Sequence, residues 1–229
     1  YRQMVGISSI GDTTVVSNKW MLGTRNSFII GISATFLATA LGTVAALGLS
    51  RRNMPFKGTI MAILISPMIV PLIITSAGMF FFYSKIGLTH TYLGLILAHT
   101  ALGTPFVVIT VTATLTGFDT NLIRASQSLG ADTMRTFFKV IMPLILPGVI
   151  SGALFAFITS FDEVVVVMFV GSVEQITIPK QMWAGLRQET SPVILCMATC
   201  LVLLSIALLT TVELLRRRSE RLRGIKLRN

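Results

Sequence analysis

Five long apolar blocks, at 27–49, 59–82, 93–115, 144–170 and 193–215, decide what this chain can become. Each reaches the roughly 20 residues that a helix needs to cross the hydrocarbon of a bilayer. Lipid offers backbone N–H and C=O groups no water, so such blocks fold as helices that satisfy themselves. The expected fold is therefore all-α, a polytopic membrane helical bundle with five visible spans. Charge agrees with this. Charged residues make up 12% of the chain, against about 25% in an ordinary soluble domain.

The blocks carry their own packing marks. Gly31, Ala34, Ala38, Gly42, Ala45 and Ala46 give the first block a small-residue surface that admits a close neighbour. Pro67 and Pro71 lie four apart in the second and predict a kinked or broken helix. The third holds His99 and Pro105. His99 is read first as a helix-packing hydrogen-bond former, and as a ligand only second. Cys196 and Cys200 share a face of the fifth block and are expected to lie in lipid or in packing, with no disulfide or metal implied.

The net charge of +10 comes from 19 basic and 9 acidic residues. The positives gather at block ends, as orientation signals do. Arg51, Arg52 and Lys57, the segment 118–143, and a tail with Arg216, Arg217, Arg218, Arg221, Arg223, Lys226 and Arg228 are expected in the cytoplasm. The segments 83–92 and 171–191 then lie outside. No basic patch interleaved with aromatics sits on a polar domain, which excludes a nucleic-acid reading. The chain divides into an extracytoplasmic segment 1–25 with Trp20 at the interface, a transmembrane domain 26–217, and a basic cytoplasmic tail 218–229. Five spans with an inner C-terminus put Tyr1 outside, without a signal peptide. A further helix before Tyr1 is expected, which would make six spans.

The stretch 118–147 interrupts the apolar blocks. Asp119 can cap a short helix carrying Leu122, Ile123, Ser126 and Leu129. Gly130 stands where that helix must end, since glycine takes the left-handed conformation freely. Asp132 can cap a second helix with Met134, Phe137, Phe138 and Ile141 on one apolar face. Pro143 and Pro147 mark the start of the next block. The prediction is a compact knob of two capped helices bent at a glycine.

Nothing in the chain forms a catalytic set, a P-loop or a clustered metal site, so no enzyme is expected. The informative acids are Asp162 and Glu163, within Ser160-Phe161-Asp162-Glu163-Val164. A carboxylate inside a span costs a few kcal/mol, so it faces a cavity or a partner. Neighbours on a helix point about 100° apart, so one of the two acids is expected to face such a cavity.

Ala125, Leu129, Gly130 and Ala131, followed by an apolar-aromatic helix with Ile141 and Pro143, resemble the EAA loop of ABC importer permeases. Arg124 departs from that pattern where the family usually has Glu, and Ser126 where it has a second Ala. The run 160–164, the Thr177-Ile178-Pro179 run, the paired prolines of 65–75, the segment 87–100 and Pro105 to Val108 are similar to the spermidine and putrescine branch. The resemblance implies the type I ABC importer permease fold in a bacterial inner membrane. It implies two ATPase subunits that bind ATP and Mg, a second related permease and an extracytoplasmic binding protein, with no cofactor in this chain. It assigns ATPase coupling to Arg124, Ala125, Ser126, Leu129, Gly130, Ala131, Met134, Phe137 and Phe138. It assigns the substrate path or gate to Ser160, Phe161, Asp162 and Glu163. Polyamine is the expected cargo; an opine, a phosphonate, iron or an amino-acid derivative are rivals within the same machine. A self-sufficient secondary transporter is the rival from another class.

Overall fold

Close helix contact begins with residues that have almost no side chain. The structure, a computed structural model, describes residues 13–51, 53–119, 121–188 and 192–222, and among these every regular element is helical. Helices α1 (Thr13–Leu49), α4 (Tyr92–Thr116) and α7 (Met142–Phe161) form the central layer. Ala38, Ala46, Val107, Val111, Ile145, Val149 and Ala156 are buried where they meet. A Cβ on Gly42 would lie 2.7 Å from Val107 Cβ, and one on Gly152 would lie 2.8 Å from Val107 Cα. Between helices in lipid the attraction is mostly van der Waals packing, so each ångström of approach counts.

Helix α1 starts at Thr13 and runs straight through the expected boundary at residue 26. Trp20, expected at the membrane interface, is instead buried with Phe161, Ile178, Ile194 and Met197. Residues 1–12 lie outside the described residues, as do Arg52 and the part of the basic tail from 223 onward; the tail residues up to Leu222 continue the last helix.

The second block is broken as its prolines predict. Helix α2 (Lys57–Ile69) and helix α3 (Leu72–Ile86) meet at 104°. The break falls at Pro71, where Val70 is extended with ψ 134°. Proline forces its predecessor out of the helical region and cannot donate to the turn. Pro67 stays inside α2.

The fourth block departs from expectation. It ends as a helix at Phe161, and a separate six-residue helix α8 (Val165–Val170) follows. Hydropathy cannot see this break, because α8 buries Val166, Val167 and Val170 against Leu95, Ala98 and Tyr83. The segment read as an outer loop contains an amphipathic helix, α9 (Ile178–Gln188), before α10 (Pro192–Leu222). Cys196 and Cys200 are free and exposed on α10, on the lipid side of the expectation that they lie in lipid or in packing. Among the described residues three helices are long and apolar enough to cross a bilayer, and the bent α2–α3 pair makes a fourth. The apolar part of α10 there is the shorter stretch Ile194–Ala207.

Candidate functional site

The knob is built at one end of the bundle by local hydrogen bonds. Asp119 Oδ1 accepts from Asn121 N–H at 2.9 Å, and α5 (Asn121–Ser128) follows. Gly130 has φ +80°. Its N–H donates to Gln127 O at 2.9 Å, and Ala131 N–H donates to Ser126 O at 3.1 Å. This pair of bonds closes a helix on a left-handed glycine. Asp132 Oδ1 accepts from Arg135 N–H at 2.7 Å and starts α6 (Thr133–Thr136). Ser126 Oγ and Thr136 Oγ1, 2.9 Å apart, staple the two helices together.

The second knob helix does not end where expected. It passes through a π turn, Phe137–Ile141, directly into α7, so Thr133–Phe161 is one continuous helix of 29 residues. Pro143 falls in the first turn of α7 and marks no boundary. A ring at 143 crowds the carbonyl of Lys139 and leaves it without an N–H, and the wider π turn directly before it absorbs both defects. The extra residue rotates the helix faces. Met134 and Phe138 stand 65% and 59% exposed, whereas Phe137 and Ile141 turn inward. The single apolar face expected for Met134, Phe137, Phe138 and Ile141 is therefore split. Phe137 and Ile141 line a cavity of about 440 Å³ with Leu47, Arg51, Leu115 and Ile123. Arg124 and Ala125 are exposed, Ala131 half-buried, and Leu129 is 88% exposed. Leu129, Met134 and Phe138 are the large apolar side chains that this part of the knob leaves most exposed.

The other end gathers the start of α1, the start of α4, and the segments around α8. Asn26, fully buried, donates from Nδ2 to Glu174 O at 2.8 Å and to Ile176 O at 2.9 Å. Tyr92 Oη donates to Asn26 Oδ1 at 2.9 Å, and Ile178 N–H donates to Ser27 Oγ at 2.9 Å. His90 N–H donates to Val170 O at 2.8 Å. These bonds tie residues 170–178 to two other helices across long sequence separations.

The four predicted path residues meet different fates there. Ser160 is buried and its Oγ lies 2.8 Å from His99 Nδ1, the packing role expected for that histidine. Phe161 is buried between Phe28 and Phe157, ring centroids 5.2 Å from each. Glu163 is 7% exposed, and its Oε1 accepts from Val166 N–H at 2.9 Å. Asp162 alone is exposed; it forms the C-cap of α7 and borders a groove of about 290 Å³ with Phe157, Ile158, Phe161 and the α10 residues Leu201 and Ser205. Neither acid lies inside a helix, so the break after Phe161, and not a 100° helical step, sends them in different directions. Sequence reasoning missed Asn26, Tyr92 and Lys180. The one available signal was Asn26, an amide at the threshold of an apolar block. Among the described residues no group of His, Cys, Asp and Glu is placed to hold a metal.

Residues 38–221 match the family described as "Binding-protein-dependent transport system inner membrane component". The chain is 31% identical over 195 residues to the spermidine/putrescine transport system permease protein PotC of Haemophilus influenzae, covering 85% of this chain and 76% of that protein. It is 29% identical over 186 residues to the putrescine transport system permease protein PotI of Escherichia coli, covering 77% and 65%. A chain in a structure of inward-facing conformations of the MetNI methionine ABC transporter superposes with a TM-score of 0.71 at 20% identity, covering 92% of this chain and 99% of that one. The last likeness is one of fold.

Proposed function

Because the chain belongs to the family of binding-protein-dependent transport inner-membrane components, we propose that it is a permease subunit of an ATP-driven importer for spermidine, putrescine or a related small cation. Two ATPase subunits supply ATP and Mg chemistry from the cytoplasm. A second, related permease completes the path, and a binding protein delivers cargo on the outer side. The C-terminus is cytoplasmic.

One observation carries this reading. The knob and Asp162 stand at opposite ends of a single helix, Thr133–Phe161. At about 1.5 Å per residue that rod is on the order of 43 Å long, enough to cross the membrane. A push on Leu129, Met134 and Phe138 by an ATPase moves a lever whose far end presents a carboxylate. Arg124, Ala125 and Gly130 lie at the same contact, while Ser126, Ala131 and Phe137 hold the knob together.

The chemistry at the far end suits an alkylammonium. An ammonium 4 Å from the Asp162 carboxylate gains about 4 kcal/mol at an effective dielectric of 20. Phe157, half-buried beside it, offers apolar surface to the methylenes of such a cation, and Phe161 is the buried ring that backs it. Ser160 and Glu163 support this wall and do not line it.

The test is reconstitution in liposomes with the cognate ATPase, partner permease and binding protein. Uptake of labelled spermidine or putrescine should require ATP and every component. Uptake without the ATPase would make the chain a secondary transporter. ATP-dependent uptake of an anion instead of a polyamine would refute the cargo assignment alone.

A further inference from the structure

Helix α8 is only six residues long, and a hydrogen-bonding side chain holds each end of it. At its start, Glu163 Oε1 accepts the Val166 N–H at 2.9 Å. At its finish, Lys180 reaches from α9 and donates from Nζ to Val167 O and to Ser172 O, each at 3.2 Å. A helix start leaves N–H groups that need an acceptor, which Glu163 supplies, and Lys180 adds a donor to the carbonyls around the finish. His90 N–H adds a third tie, to Val170 O at 2.8 Å. Val166, Val167 and Val170 are buried on Leu95 and Ala98, so α8 cannot shift without opening that packing.

Asp162 directly precedes this clamped segment. Its own N–H donates to Ile158 O at 3.0 Å, which makes it the last residue fixed by α7. From that point the chain direction is set by α8. We infer that Glu163 and Lys180 are positioning residues, one at each end of α8, that hold the Asp162 carboxylate in its place on the groove without touching cargo themselves. The inference rests on the reading of Asp162 as the cargo-contacting group. It gives the two adjacent acids different jobs: Asp162 acts through its charge, and Glu163 acts through a hydrogen-bond acceptor. It also gives a role to Lys180, a cation that would otherwise oppose a cationic cargo. Its ammonium is directed at two carbonyls, not at the groove.

The experiment measures transport by the complete reconstituted importer, with labelled spermidine presented on its binding protein. Glu163→Ala and Lys180→Met should each raise the apparent KM by about tenfold while ATPase capture persists. Glu163→Gln keeps an acceptor oxygen and Lys180→Arg keeps a cationic donor, so each should recover most of that loss. In an Asp162→Asn background, Glu163→Ala should add less than about twofold, because no carboxylate remains to be placed. Equal damage from Glu163→Gln and Glu163→Ala would overturn the inference, since the charge itself would then be at work. So would an undiminished penalty in the Asp162→Asn background. Should Glu163→Ala fail to assemble, the Lys180→Met and Lys180→Arg pair makes the same comparison in both backgrounds. Unchanged uptake by Asp162→Asn alone would remove the underlying reading, and the inference with it, by a separate measurement.

Discussion

Asp162 and Glu163 are neighbours in sequence and opposites in environment. The Asp162 carboxylate is exposed on a groove, whereas Glu163 is 7% exposed and accepts the amide of Val166 at 2.9 Å. The end of α7 between Phe161 and Asp162 creates this contrast. Had the helix continued, both acids would have remained on one rod in lipid or in protein.

Asp162→Asn should therefore lower polyamine uptake by about tenfold or more, since about 1.4 kcal/mol of lost attraction is already a factor of ten. Assembly and ATP hydrolysis by the complex should be kept, because no buried group changes. Asp162→Glu should retain most uptake. Initial rates in proteoliposomes check this, and equal rates for Asn and Asp at position 162 would remove the residue from the path.

Phe138→Asp should abolish capture of the ATPase in a pull-down and leave the melting temperature of the isolated permease unchanged, because the ring is exposed. Phe137→Asp should lower that melting temperature as well, because its ring lines the cavity behind the knob. Similar behaviour of the two variants would contradict the split of the apolar face at the π turn.

Gly152→Val should be among the most damaging changes in the bundle. Its Cβ would lie 2.5 Å from Thr110 Oγ1 and 2.8 Å from Val107 Cα, and overpacking of that kind costs about 1–3 kcal/mol or more. Gly48→Ala makes the control. Nothing lies within 4 Å of a Cβ there, so the helix should gain up to about 1 kcal/mol. Melting temperatures in detergent decide, and comparable effects at 152 and 48 would show that α4 and α7 do not touch as closely as described.

Ser160→Ala leaves His99 buried without its hydroxyl partner 2.8 Å away, at a cost of about 1–3 kcal/mol. Replacing both at once, as His99→Leu with Ser160→Ala, should restore part of that loss, because no buried polar group is then stranded. A double variant less stable than Ser160→Ala would mean that His99 does more than bond to Ser160.

The knob shows how far short-range chemistry can be read. The caps at Asp119 and Asp132 and the left-handed Gly130 use donors and acceptors within five residues, so position and residue type suffice to place them. The break before α3 is equally local, since Pro71 imposes it on Val70. The π turn was not legible. It is a compromise between Pro143 and the packing of Phe137 and Ile141 beside Leu47 and Leu115, which are distant in sequence.

The sequence alone determined an apolar helical bundle, its capped knob and the presence of two acids near the end of the fourth block. Such features follow from chain-local rules of hydropathy, capping and proline geometry. Only the tertiary structure decided that α7 stops at Phe161, that Glu163 turns inward, and that Lys180 and His90 hold the far end of α8. Hydropathy registers water avoided, and residues 164–170 avoid water equally well as the end of a span or as a buried wedge against Leu95. Which of the two they become depends on hydrogen bonds from His90 and Lys180, and these partners arrive only when the helices have packed.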